Sequence, residues 1–306
     1  MSNEYATTDI IKIPAAQTTP STEPDCTDAS VTQEVGWSID KGLVRQNNED
    51  SLAAVTLNQA NDVTCQAVGV YAVADGMGGH DAGEVASKLA VRTAVRNLVG
   101  NVTEVSDNMP EHYRDWLQSA VVLANKIVHS KAHENDKNMG TTLVMAVVAG
   151  HDVHVVNVGD SRAYVICETG IRQITHDHSY VQMLVDNGAI TPEQAIKHPY
   201  RSVLTQSVGT EENVTADVFS ETLDENESLL LCSDGLWETL NNDRIWQIVH
   251  DAETPSIACQ ALIDASNAAG GRDNIAAVLV RLGPADKAEV ASAEIDPNAT
   301  VKIPGR

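Results

Sequence analysis

The chain has 306 residues, of which 42% are hydrophobic, so it is long enough to bury a sizeable core, and its formal net charge is -23 at pH 7. That acidic balance excludes non-specific attraction to nucleic acid or to an anionic membrane surface, because both depend on Lys and Arg neutralising phosphate. Aromatic residues make up only 4%, with Phe219 the single phenylalanine, which leaves Val, Leu, Ile and Ala to form the core.

Residues 1–33 are rich in Thr, Pro, Ser and Asp, have no sustained apolar period, and read as a flexible tail. The opening "MSNEYATTDIIKIPAAQ" lacks a basic stretch followed by an apolar one, and no apolar run reaches spanning length, so neither a cleavable signal nor a membrane helix is expected. Cys26, Cys65, Cys167, Cys232 and Cys259 never form a Cys-x-x-Cys pair, which points away from disulfides and zinc ribbons and towards a cytoplasmic location. The domain proper is expected over 34–283, with a second flexible tail over 284–306.

Inside that domain "EVGWSID", "SLAAVTL" and "CQAVGVYAVAD" predict the first strands, being short, β-branched and bounded by turn residues. A helix follows over 84–99, with Val85, Leu89, Ala90, Ala94, Val95 and Leu98 as its apolar stripe and Glu84, Lys88, Arg92 and Arg96 on the other face. A second helix is predicted from about Glu111 to His133. The strands "TTLVMAVVAG", "DVHVVNVGD", "RAYVICE" and "SLLLCSD" come next, then a helix-like "LWETLNNDRIWQIV". A third helix runs from Thr254, a plausible N-cap ahead of Pro255, to Ala268, and the strand "NIAAVLVRL" closes the series. Strands in direct succession imply antiparallel sheets, so the fold class is α+β with helices covering sheet faces.

Five acidic stations stand at the edges of these strand runs: Glu49 with Asp50, then Asp75, Asp160, Asp234 and Asp273. Any one of these aspartates taken alone reads first as a turn residue. Asp75-Gly76 and Asp234-Gly235, however, are each followed by helix-like sequence and close no two-residue hairpin. A glycine after the acid also lets a backbone carbonyl approach a cation. Carboxylates converging from strand ends need their charges neutralised, and an oxygen-only donor set selects Mg²⁺ or Mn²⁺ over zinc. Two such ions sharing a carboxylate would activate a water for in-line attack on phosphorus, with Arg45 as the candidate phosphate clamp.

The motifs "RQNNED", "VADGMGGHDAGEVAS", "MGTTLV", "NVGDSRAYV", "LLCSDGLWE" and "GRDNIAAVLV" resemble, in order, those of the PP2C-type (PPM) metal-dependent protein serine/threonine phosphatases in their bacterial form, over about residues 34–282. The resemblance implies an antiparallel β-sandwich flanked by helix pairs, with a metal centre at one end. By motif, Asp75 would bridge two ions, Gly76 would offer its carbonyl, and Asp234 and Asp273 would complete the pair. Glu49 and Asp50 would hold waters, and Arg45 the phosphate. Bacterial members bind a third, weaker ion through the position of Asp160 together with that of Asp234, and Glu238 stands where some relatives have a further acid. Animal members have a histidine directly after the Asp-Gly where this chain has Met77, which leaves His80 or a water as the candidate general acid.

The segment 176–208 resembles the flap of the family; His176, His178 and His198 within it lack zinc-ligand spacing and read as solvated or hydrogen-bonded. Trp37, Trp116, Trp237 and Trp246 read as core or groove-lining residues. In the tails, Thr7, Thr8 and Thr300 each precede an Ile by three residues, a spacing similar to what forkhead-associated domains bind once the Thr is phosphorylated; chance likeness between two tails is the competing reading. The implied function is hydrolysis of phosphoserine and phosphothreonine in proteins, opposing a Ser/Thr kinase. Another phosphoester substrate and an inactive phosphoprotein-binding adaptor are the alternatives.

Overall fold

Valine- and alanine-rich runs bounded by Gly and Asp become strands here, and the computed structural model describes them within residues 31–60, 65–78, 82–104, 110–134 and 139–284. Strands β1 (Thr32–Asp40), β2 (Asp50–Ala60) and β3 (Cys65–Gly78) precede two long helices, α1 (Ala82–Glu104) and α2 (Pro110–Glu134). Then come β4 (Met139–Thr141), β5 (Leu143–Ala149), β6 (Asp152–Val158), β7 (Arg162–Cys167) and β8 (Gly170–Gln173). Two short helices, α3 (Tyr180–Asp186) and α4 (Pro192–Ala195), lead to β9 (Asp217–Thr222) and β10 (Ser228–Cys232). The chain continues through α5 (Asp234–Trp237), α6 (Asn242–Asp251) and α7 (Pro255–Ala268) to β11 (Ile275–Gly283).

All strand pairs are antiparallel. One sheet has the order β1-β11-β10-β7-β8 and the other β2-β3-β5-β6-β9, with β4 on the far end of β3. Side-chain alternation distributes each strand between two cores. On β3, Tyr71 and Val73 point into the layer between the sheets, while Val68, Val70, Ala72 and Ala74 meet α1 and α2. On β10, Leu229 and Leu231 point inward and Leu230 and Cys232 face α6 and α7. Because both faces of these strands are covered, their sequences are apolar throughout, as β5 shows with seven consecutive buried residues. Four layers, helices-sheet-sheet-helices, result.

Several expectations are corrected in detail. Val85 is 44% exposed; the buried face of α1 is Ala82, Gly83, Ala86, Ser87, Ala90, Val91, Ala94, Leu98 and Val102. Leu89 and Val95 flank that face as partly buried side chains. "TTLVMAVVAG" is divided at Thr142, whose backbone N–H turns to the Asp75 carbonyl at 2.9 Å. The helix-like run after Asp234 is two helices, α5 and α6. Strands β8 and β9 and helices α3 and α4 are additional to the elements the sequence predicts. The N-cap of α7 is Thr254, with Pro255 in the first helical turn, as expected. Residues 1–30 and 285–306, and with them Cys26, Thr7, Thr8 and Thr300, lie outside the described residues. Among the described residues, no helix is long and apolar enough to cross a membrane.

Candidate metal centre

The register of the edge strand β2 on its neighbour β3 sets the site. β2 and β3 pair with Asp50 directly opposite Asp75, which places like charges where they repel. Three hydrogen bonds fix the Asp75 backbone: its N–H donates to Thr142 Oγ1 at 2.8 Å, and its carbonyl accepts from Thr141 Oγ1 at 2.8 Å and from the Thr142 N–H at 2.9 Å. The Gly76 N–H donates to the Glu49 carbonyl at 3.1 Å, which ties the preceding loop to the same rim. A Cβ on Gly76 would run into the Gly83 carbonyl at the start of α1, so only glycine fits there.

The second sheet delivers its acids from the ends of β10 and the start of β11. Ser233 joins the two sheets: its hydroxyl donates to Asp50 Oδ2 at 2.7 Å and accepts from the Ala276 N–H at 2.9 Å. Asp234 opens α5, and a Cβ on Gly235 would collide with the Asn274 carbonyl. Asn274 holds the opposite loop. Its Nδ2 donates to the carbonyls of Lys41 and Asn47, each at 2.9 Å, and its Oδ1 accepts from the Glu49 N–H at 2.8 Å. Asp160 follows the Gly159 turn after β6; its carbonyl accepts from Trp237 Nε1 at 3.0 Å, and Arg162 stacks over that indole at 3.5 Å while pairing with Asp177.

These elements enclose a cavity of about 580 Å³. Arg45, Glu49, Asp75, Gly76, Asp160, Asp234 and Asp273 line it on the sandwich side, with Met77 beside them. Leu204, Thr205, Gln206 and Ser207 face them from the flap, whose two ends are fastened by Thr205 N–H to the His178 carbonyl and by reciprocal bonds between Val208 and Thr141. Asp50 does not line this cavity; it lies behind Asp75, 4% exposed. Glu238 is turned to Arg201 of the flap at 3.4 Å. His80 lies outside the described residues. The flap histidines go to separate partners: His176 to Asp186, His178 to Asp217, and His198 accepting from the Tyr200 N–H. Of the tryptophans, Trp37 is 58% exposed on β1, whereas Trp116, Trp237 and Trp246 are partly buried.

The electrostatics of the cluster call for a cation. Burial pushes the Asp50 carboxyl up to about 8 and Asp234 up to about 7, and Asp75 and Asp160 well above the ordinary carboxylate range, with neighbouring carboxylates adding to the shift in each case. Asp75 shares this buried site with Asp50, its cross-strand partner, and with Asp234, and both raise its pKa, a juxtaposition that ionised carboxylates tolerate only with a proton or a cation among them. Asp50 Oδ1 and Asp234 Oδ1 are buried without a donor. Arg45 meets Asp273 at 2.6 Å, and that hydrogen bond holds its guanidinium protonated. Among the described residues, no group of three or more His, Cys, Asp or Glu side chains is placed so that it could hold a metal ion as it stands, so binding here requires the carboxylates to move. The oxygen set is open, internally repelling and suited in chemistry to hard divalent ions.

Sequence reasoning missed Asn274, Ser233 and Thr142 as the residues that hold the acids in place. Asn274 and Ser233 stood inside quoted motifs, but their partners lie about two hundred residues away in sequence.

Solved structures share this architecture. An S. agalactiae serine/threonine phosphatase superimposes with a TM-score of 0.73 at 32% identity, over 82% of this chain and 99% of that one. The catalytic domain of the serine/threonine protein phosphatase PstP, in complex with two manganese ions, gives 0.68 at 30% identity, over 83% and 100%. In sequence, the serine/threonine phosphatase Stp of Listeria monocytogenes is 36% identical over 260 residues, 84% of this chain and 98% of that protein. The family description "protein phosphatase 2C" matches residues 43–266. The chain belongs to the protein phosphatase 2C family, and its relatives are the bacterial serine/threonine phosphatases of that family.

Proposed function

We propose that this protein hydrolyses phosphoserine and phosphothreonine esters of proteins at the acidic cavity between the sheet ends and the flap, opposing a Ser/Thr kinase. The observation that carries the reading is the buried cluster of Asp50, Asp75 and Asp234, three carboxyl groups sharing one site, with orphaned oxygens on Asp50 and Asp234 and with Arg45, the cation that acts on Asp234, already committed to Asp273. Such a cluster is a costly arrangement unless a cation binds there.

Asp75, the Gly76 carbonyl, Asp234 and Asp273 would hold two divalent ions, Mn²⁺ or Mg²⁺, and Asp160 with Asp234 a third. The two manganese ions of PstP support that choice for a chain of this family. Bound there, the ions would lower the pKa of a water to make it a nucleophile and would offset charge on the phosphate. Asp50 keeps the Asp75 carboxylate in place from behind, and Glu49 would order water at the cavity wall. Arg45, released from Asp273, would present its planar fork to two phosphate oxygens. Ser233 and Asn274 hold the acids and the Arg45 loop so that these groups need not reorganise during the reaction. Neither a serine nor a cysteine nucleophile is needed, in keeping with Cys232 and Cys259 being buried thiols pushed well above their ordinary value by burial.

The test is hydrolysis of p-nitrophenyl phosphate and of a phosphothreonine peptide with Mn²⁺, Mg²⁺ or EDTA, beside Asp75→Asn and Asp234→Asn. Each substitution and EDTA should lower kcat/KM at least about a thousandfold, the scale of losing charge stabilisation in a dry site. Turnover that survives EDTA and both substitutions rejects the mechanism. Turnover of the small ester alone redirects the substrate class.

A further inference from the structure

The last two turns of α2 carry a pair of imidazoles away from the acidic cavity. His129 and His133 are four residues apart, which stacks them on one helix face, and their Nε2 atoms lie 3.2 Å apart with the rings edge to face at 79°. Both side chains reach solvent, His133 as an exposed residue and His129 in part. We infer that His129 and His133 form a second, nitrogen-donor metal site that takes one borderline transition ion, Zn²⁺, Ni²⁺ or Cu²⁺, through both Nε2 atoms.

Three observations converge on it. An ion with metal–nitrogen distances near 2.0–2.1 Å needs its two nitrogens about 2.9 Å apart for a right-angled bite and about 3.3 Å for a tetrahedral one. The observed 3.2 Å lies inside that interval, so the two nitrogens are already spaced for the bite and only the ring orientations must turn towards a shared ion. His133 stands in the last turn of the helix, where the unpaired carbonyls favour a cation. The surrounding protein carries a net charge of -23, which raises the local concentration of divalent cations.

The proton balance is simple. In the metal-free pair one neutral ring donates through Nε2–H to the lone pair of the other. On metal binding that proton moves to the Nδ1 of its own ring through solvent, and both Nε2 lone pairs go to the ion. Among the described residues no third side chain completes a closed site, so water fills the remaining positions. Imidazole donors and oxygen donors select different ions, so this site and the acidic cavity would not compete for Mg²⁺. One turn earlier, Asn125 donates to the Glu211 and Glu212 carbonyls and accepts from the Gly209 N–H; an ion on His129 and His133 would therefore staple the helix end that carries this cavity-side loop.

The experiment uses the full chain in excess Mg²⁺, to fill the oxygen sites, and adds one equivalent of Cu²⁺. Electron paramagnetic resonance should show coupling to two imidazole nitrogens, and a competition titration gives the affinity. His129→Gln and His133→Gln should each lose the two-nitrogen pattern and weaken binding at least about tenfold, the loss of a ring-closing ligand. His250→Gln, on α6 far from the pair, should change neither. Both substitutions are at the surface, and unchanged circular dichroism confirms their fold. A two-nitrogen signal that persists in either variant overturns the inference, and the outcome is independent of whether the acidic cavity is a phosphatase centre.

Discussion

Arg45 is the one residue of the cavity whose two roles oppose each other. Without a cation it neutralises Asp273 from a half-exposed position, 52% of its side chain reaching solvent, so the pair is weak and easily parted. In the proposed reaction it must leave that carboxylate for the phosphate. Arg45→Ala should therefore move two measurements in opposite directions. Removing the competing guanidinium leaves Mn²⁺ affinity, read by calorimetry, equal to wild type or tighter. Hydrolysis of the phosphopeptide should fall about tenfold to a thousandfold in kcat/KM, because an arginine clamp contributes on that scale to binding charged oxygens. Weaker Mn²⁺ binding in this variant would show that Arg45 supports the metal site and does not compete with it.

At the scale of elements, α1 shows what sequence pattern could and could not specify. Its charged face, Glu84 with Lys88 at 2.5 Å, followed by Arg92 and Arg96, is legible by spacing. Its buried face is built largely from Gly, Ala and Ser, which carry little hydrophobic signal, so Val85 drew the stripe towards itself although Gly83 and Ala86 are the residues against the sheet. Leu98→Ala should cost about 2–5 kcal/mol in urea unfolding through the cavity it leaves, and Val85→Ala less than about 0.5 kcal/mol. Equal costs would restore the sequence-derived stripe. The strands β8 and β9 escape the pattern for two reasons: "GIRQ" is only four residues long, paired to β7 across a two-residue hairpin, and the polar "DVFSET" becomes a strand through pairing with β6, a non-local cause. The short flap helices were locally signalled, since Thr191 and Gln194 form a capping box around Pro192, but four residues fall below what periodicity detects. Acidic stations at strand ends were legible because Asp beside Gly is a local mark. The hydrogen bonds that order them, such as Ser233 to Asp50 across 183 positions, exist only in the fold.

For the whole molecule, the acidic cluster makes stability and metal binding one property. Asp50 and Asp234 have folded-state values of about 8 and about 7 against an unfolded value near 3.8, and Asp75 and Asp160 are also raised well above that value, burial being the main cause. A group with a raised folded value favours the folded state fully below its unfolded value. Between the two values the unfolded chain releases its proton while the folded chain still holds it, and the contribution drains away as pH rises. Metal-free protein should therefore lose stability steadily from about pH 4 to about pH 8, opposite to a protein held by ion-paired carboxylates. The overall charge of -23 adds self-repulsion of the same sign, so Asp75→Asn separates the two: it removes one member of the cluster and should flatten the slope while leaving the global charge nearly unchanged. Saturating Mn²⁺ should flatten it further, because an ion that binds the folded state stabilises it and takes the place of the protons. Urea unfolding in EDTA and in Mn²⁺ at several pH values across that window reads all three arms, and an EDTA curve that rises with pH would mean that the buried carboxylates find compensation within the protein itself.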